Sequence, residues 1–212
     1  MTRWMQPALY GAAAITAGIM LITCLRDAAP WVSVRELYGL TALALLLASM
    51  IVGPLLAVLT RIPLKGHLLA SRRALGVCAF CFALAHVAFY IMPVLSRNWH
   101  EIFAPGAWWI VGLSLGAIAL ACMAPLAWTS RNAAVAAMGG LRWKRLHRLV
   151  YVLLPIALLH AVLVGSDFGA HRAPDTKSEP DMGALFFFLG LSAAWLLLVF
   201  LRWRRRAATK HG

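Results

Sequence analysis

Two histidines, His86 and His160, stand inside stretches of this sequence that hold no Lys, Arg, Asp or Glu. An ionisable side chain in so apolar a setting is expensive and marks function by default. His86 comes 13 residues after Arg73, and His160 comes 12 after Arg148. At about 1.5 Å of helical rise per residue, both imidazoles lie roughly 18–20 Å from their basic flanks. Two imidazoles at matched depth can face each other across a planar macrocycle. Imidazole nitrogen is an axial ligand of haem iron, and helix-bundle cores hold such cofactors. Two other readings stay open. Each ring can hydrogen-bond a neighbouring helix, or the pair can relay protons. A relay would more naturally include a buried carboxylate, and the apolar stretches contain none.

His147 extends the pattern, 13 residues before His160. On one continuous helix that is a rise of about 20 Å, enough to place a second haem below the first. An ideal helix leaves the two side chains about 140° apart, and Pro155 between them can kink it. His147 also sits in the basic run 142–148, which suits contact with lipid headgroups equally well. Arg72 and Arg73 precede His86 by 14 and 13 residues. Arginine is permanently protonated and a poor iron ligand. It can clamp a propionate through charge-assisted hydrogen bonds, or simply anchor a helix end.

The elements that must position these residues are membrane helices. Of the 212 residues, 62% are hydrophobic and 13% charged, against roughly 25% charged in a soluble domain. Crossing a hydrocarbon core of roughly 30 Å takes about 20 apolar residues, and six runs qualify. They cover 7–25, 37–59, 74–95, 106–128, 149–165 and 183–201. Backbone groups in lipid must be satisfied internally, and no alternating barrel pattern is present. The sequence therefore predicts an all-α bundle of about six transmembrane helices forming one membrane domain, with its cofactor core in 36–165. Arg26 and Asp27 stand where a signal-peptide cleavage site would fall, so the first run reads as a retained helix.

Charge orients the bundle. The N-terminus, the 60–73 and 129–148 connections and the C-terminal tail hold fifteen of the twenty Lys and Arg and none of the seven Asp and Glu. Basic residues accumulate on the cytoplasmic side, so both termini are predicted there, in a multi-pass inner-membrane protein. The same partition removes nucleic acid as a partner. A pI near 10.8 reflects topology here, and the positive charge meets anionic lipid headgroups. Arg202 to Arg206, with Trp203, read as an interface anchor. Trp31, Trp99, Trp108 and Trp109 read as an aromatic belt at the other face. The acids Asp167, Asp175, Glu179 and Asp181 can steer a soluble partner or simply keep their loop solvated. Cys78 and Cys81 lack the adjacent His of a covalent haem site and read as small packing residues. Gly112 and Gly116 suit a close helix contact.

The stretch Ser71-Arg72-Arg73-Ala74-Leu75-Gly76, with Ala85-His86 and Tyr90, forms one half of a recognisable pattern. Trp128-Thr129-Ser130, Leu141, Trp143, Leu146-His147, Val150-Tyr151, Pro155 and His160 form the other. Over residues 36–165 the sequence resembles the haem-binding membrane subunit of the bacterial periplasmic methionine-sulfoxide reductase system. That subunit belongs to the superfamily of ferric-reductase and NADPH-oxidase transmembrane domains. The resemblance implies b-type haem, one or two, held without covalent attachment by His86, His160 and His147. It implies electrons from the quinol pool or a cytoplasmic flavin reductase, and delivery to a periplasmic molybdenum-cofactor enzyme that reduces methionine sulfoxide in oxidised proteins. It also implies bound flavin mononucleotide, whose phosphate Arg72 and Arg73 can clamp, and a quinone. One departure stands out. The wider superfamily places two histidines 13 or 14 apart on the third helix, and here Arg73 and Arg72 occupy those positions. His100 lies 14 after His86 but beyond Pro93, leaving His67 as the candidate partner for His147.

The expected chemistry is electron transfer rather than oxygen binding, because two histidines leave the iron no open position. Within the same class the alternative is a ferric-reductase-like metal reductase. From another class it is a haem-free membrane scaffold or transporter.

Overall fold

The computed structural model describes residues 5–27, 30–59, 61, 65–96, 106–165, 168 and 182–208. Trp99, His100, Asp167, Asp175, Glu179 and Asp181, singled out above, lie outside the described residues. Among the described residues the regular structure is helical, with no strand. The helices are α1 (Met5–Cys24), α2 (Pro30–Val58), α3 (Lys65–Ser96), α4 (Ala107–Trp128), α5 (Asn132–Met138), α6 (Gly140–His147), α7 (Val150–Val164) and α8 (Met182–Ala208). Six segments are long and apolar enough to cross a membrane, one of them running from α6 into α7.

α2, α3 and α8 outrun the apolar runs that announce them. α2 starts at Pro30, because proline lacks the N–H that a first turn leaves unsatisfied. Arg35 and Glu36 therefore lie on α2, as an ion pair at 3.6 Å, and the Arg35 guanidinium stands 5.7 Å from the Tyr90 ring centre. α3 starts at Lys65, so Arg72 and Arg73 are helical rather than in a connection.

α2 is the central helix. It packs most extensively on α3 and also meets α8 and α1, while α4 pairs with α7. Leu47 of α2 with Leu153 and Leu154 of α7 are almost wholly buried and join these two groups into one core. α8 keeps Phe186, Phe187, Leu196, Leu197 and Phe200 on its exposed surface, the expected dress of a lipid-facing helix. At the α4–α7 crossing, a Cβ added to Gly112 would overlap Val164, so the glycine sets how closely the two helices approach.

Three hydrogen bonds gather the basic segments at one end of the bundle. Gln6 of α1 donates to the Ala70 carbonyl of α3 at 3.5 Å, Arg73 to Asn132 Oδ1 of α5 at 2.6 Å, and Arg205 of α8 to the Val58 carbonyl of α2.

Candidate functional site

His86 is carried by α3 and His160 by α7. Aromatic contacts clamp the α2–α3 seam around His86: Tyr38 meets Phe82 at 5.2 Å and Phe89 at 5.4 Å between ring centres. The Tyr38 hydroxyl in turn donates to the Ala17 carbonyl of α1 at 2.8 Å. Each histidine lies against a glycine of a facing helix. A Cβ at Gly39 of α2 would stand 2.8 Å from His86 Nδ1, and one at Gly116 of α4 would stand 2.7 Å from His160 Nδ1.

The structure brings the two histidines together. Their ring centres are 6.2 Å apart and the ring planes are nearly perpendicular, at 82°. His86 Nδ1 donates to the Arg35 carbonyl at 2.7 Å, and His160 Nδ1 donates to the Gly112 carbonyl at 2.8 Å. A carbonyl can only accept, so both rings carry their proton on Nδ1 and keep the Nε2 lone pair. That is the tautomer a metal ligand needs, with the second nitrogen fixed by a backbone acceptor. A metal–imidazole bond of about 2 Å, added to the roughly 1.1 Å from a nitrogen to its ring centre, separates two coaxial ligands by about 6 Å. The observed spacing fits one ion between the rings.

His147 lies in a different place. It closes α6, and Arg148 and Leu149, both with helical backbone angles, lead into α7. The expected helix from His147 to His160 thus runs on as one candidate span, Gly140–Val164. It is tightened at the joint by i→i−3 bonds, from Arg148 N to the Arg145 carbonyl at 3.2 Å and from Leu149 N to the Leu146 carbonyl at 3.0 Å. The Thr129 hydroxyl gives its single hydrogen to the Pro125 carbonyl at 2.7 Å. Its contact with His147 Nε2, at 3.1 Å, therefore has the imidazole donating. Trp143 stacks on the ring at 4.1 Å and donates its indole N–H to the Thr129 carbonyl at 3.0 Å.

His147 lines a cavity of about 400 Å³ at the basic end of the bundle, together with Arg72, Arg73, Lys144, Arg148 and Tyr151. The Arg72 guanidinium reaches it by passing close to Gly53 of α2, where a Cβ would stand 3.2 Å from Nη1. The structure thus joins His147 with Arg72 and Arg73, which sequence spacing left unconnected. His67, in the first turn of α3, is not among the residues lining this cavity.

Sequence reasoning missed Arg35 and Gly39, and it singled out Thr129 only as part of the Trp128-Thr129-Ser130 pattern, without its contact to His147. Arg35 and Thr129 act through a carbonyl and a hydroxyl that any residue type or many could supply, and Gly39 carries no chemical signal of its own. The Trp108-Trp109 pair was read as one belt. Trp108 is 64% exposed and Trp109 only 8%, so the second points into the bundle.

Residues 38–158 match the family described as ferric reductase like transmembrane component. The chain is 33% identical over 166 residues to the protein-methionine-sulfoxide reductase heme-binding subunit MsrQ of Caulobacter vibrioides, covering 76% of this chain and 71% of that protein. It is 37% identical over 132 residues to the MsrQ of Agrobacterium fabrum, covering 61% of this chain and 57% of that protein. Against the magnetosome protein MamZ of Magnetospirillum gryphiswaldense the identity is 36% over 95 residues, covering 45% of this chain and 14% of the longer protein. With most of its six-helix bundle matched in this way, the chain belongs to the ferric-reductase-like transmembrane family and groups with the protein-methionine-sulfoxide reductase heme-binding subunits.

Proposed function

We propose that this chain is the membrane haem subunit of a methionine-sulfoxide reductase system, in which His86 and His160 hold one b-type haem. The observation that carries the reading is the histidine pair itself. Two imidazoles from different helices stand at the spacing of a shared ion, each with Nδ1 tied to a backbone carbonyl. A bound haem would supply one-electron transfer between ferric and ferrous iron.

The protein's own residues do the rest. The carbonyls of Arg35 and Gly112 hold the rings in the ligating tautomer. The apolar helices around them keep water away and so stabilise the reduced, less charged state of the site. The basic-end cavity, with Arg72, Arg73 and His147, receives the reductant side: a quinol headgroup, a flavin phosphate or the propionates of a second haem all offer acceptors to its cations. On this reading His147 serves as a ligand through Nε2 only once its bond to Thr129 is released, and through Nδ1 while that bond is kept. The basic end faces the cytoplasm, placing both termini there, in the bacterial inner membrane. The opposite end delivers electrons to a periplasmic molybdenum-cofactor reductase, the partner that repairs oxidised methionine.

Reconstitution into lipid vesicles tests this. A quinol or a flavin reductase should reduce the haem. Reoxidation should then follow only when the periplasmic reductase and methionine sulfoxide are both added. Haem that is reoxidised by chelated ferric iron but never by the reductase would replace this reading with a metal reductase.

A further inference from the structure

Trp109 is more than 90% buried, and its indole nitrogen is sealed from solvent with no hydrogen-bond partner among the described residues. A donor sealed from solvent in this way calls for an acceptor. Its position says which. Trp109, Gly112 and Gly116 share one stripe of α4, spaced three and four residues apart. The carbonyl of Gly112 accepts from His160, and Gly116 lies against the same ring. Trp109 stands one turn along the stripe, about 4.5 Å further from the basic end. On α2 a second residue marks the same flank. Arg35 gives its carbonyl to His86, and its side chain, 13% exposed, is paired there with Glu36.

We propose that the Trp109 indole N–H is the hydrogen-bond donor for a carboxylate on the edge of the macrocycle that His86 and His160 hold, a haem propionate. This rests on the haem ligation proposed above. The chemistry matches: a carboxylate accepts strongly from an N–H, the more so in a low-dielectric interior. Trp109 is then a positioning residue, fixing the macrocycle's rotation about the axis between the two rings rather than ligating the iron.

The test compares wild type, Trp109→Phe and Trp108→Phe, each purified with its haem. Trp109→Phe should keep the wild-type two-histidine absorption spectrum. Its propionate bending band in the resonance Raman spectrum should shift, and it should lose haem to a soluble scavenger roughly tenfold faster, the effect of one charge-assisted hydrogen bond. Trp108→Phe, altering the outward-facing neighbour, should match wild type in both. A Trp109→Phe protein identical to wild type in band position and haem loss overturns the proposal. Should Trp109→Phe fail to fold, ultraviolet Raman of wild type made with and without haem decides. One of the nine tryptophans should gain a hydrogen-bonded indole N–H on haem loading, and no change overturns the proposal. A wild type with no haem absorption overturns the ligation reading itself, a result distinct from either of these.

Discussion

At the residue scale, the three histidines of the candidate site differ in which nitrogen is occupied. His86 and His160 spend Nδ1 on backbone carbonyls and keep Nε2 for a ligand. His147 spends Nε2 on Thr129. Matched depth along the helices was legible in the sequence, because it needs only residue counts from the basic flanks. The acceptors were not, since a main-chain carbonyl carries no residue signature. Thr129→Val separates the two kinds of histidine. It removes the hydroxyl while keeping the carbonyl that accepts from Trp143. The haem spectrum from His86 and His160 should be unchanged, and stability in detergent should fall by about 1 kcal/mol, one buried hydrogen bond. Thermal unfolding followed together with haem absorbance checks both. Loss of the main haem band would contradict the independence of the His86–His160 site from the Thr129–His147 contact.

At the scale of elements, glycines facing the histidines set the room for each ring. Gly116→Leu should push His160 off its Gly112 acceptor, because the Cβ alone already meets the ring at 2.7 Å. Bound haem should fall several-fold while helix content by circular dichroism stays the same. Gly190→Ala is the control, since nothing lies within 4 Å of its Cβ, and alanine favours helix over glycine by about 1 kcal/mol. Equal haem in both variants would contradict the packing role of Gly116. The six apolar runs were readable as helices because lipid permits little else. Their ends were less readable. Hydropathy reports where the hydrocarbon stops, whereas helical hydrogen bonding continues into the headgroup region, as it does from Pro30 to Glu36 and from Lys65 to Arg73. The tightening after His147 was hidden for another reason. No glycine or proline stands at Arg148 or Leu149, and Pro155, the residue that suggested a kink, lies inside α7. The helix tightens where its polar run meets its apolar one.

At the scale of the whole molecule, charge and cofactor chemistry are arranged along one axis. The cationic segments gather at one end, tied together from α1 to α8, around a cavity that suits an anionic or carbonyl-bearing reductant. The histidine pair lies beyond it, between α3 and α7 and deeper in the bundle. Electrons entering at the basic end would meet the haem before the far face, which is the order an electron-transfer subunit requires. That order depends on one iron being shared by two helices. The direct measurement is the absorption spectrum of the purified protein in detergent, oxidised and then reduced with dithionite, for wild type, His86→Ala and His160→Ala. The expected result is a sharp reduced b-type spectrum in wild type, lost or converted to a five-coordinate form in each variant. A colourless wild type expressed with ample haem, or variants that keep the full wild-type spectrum, would contradict ligation by this pair.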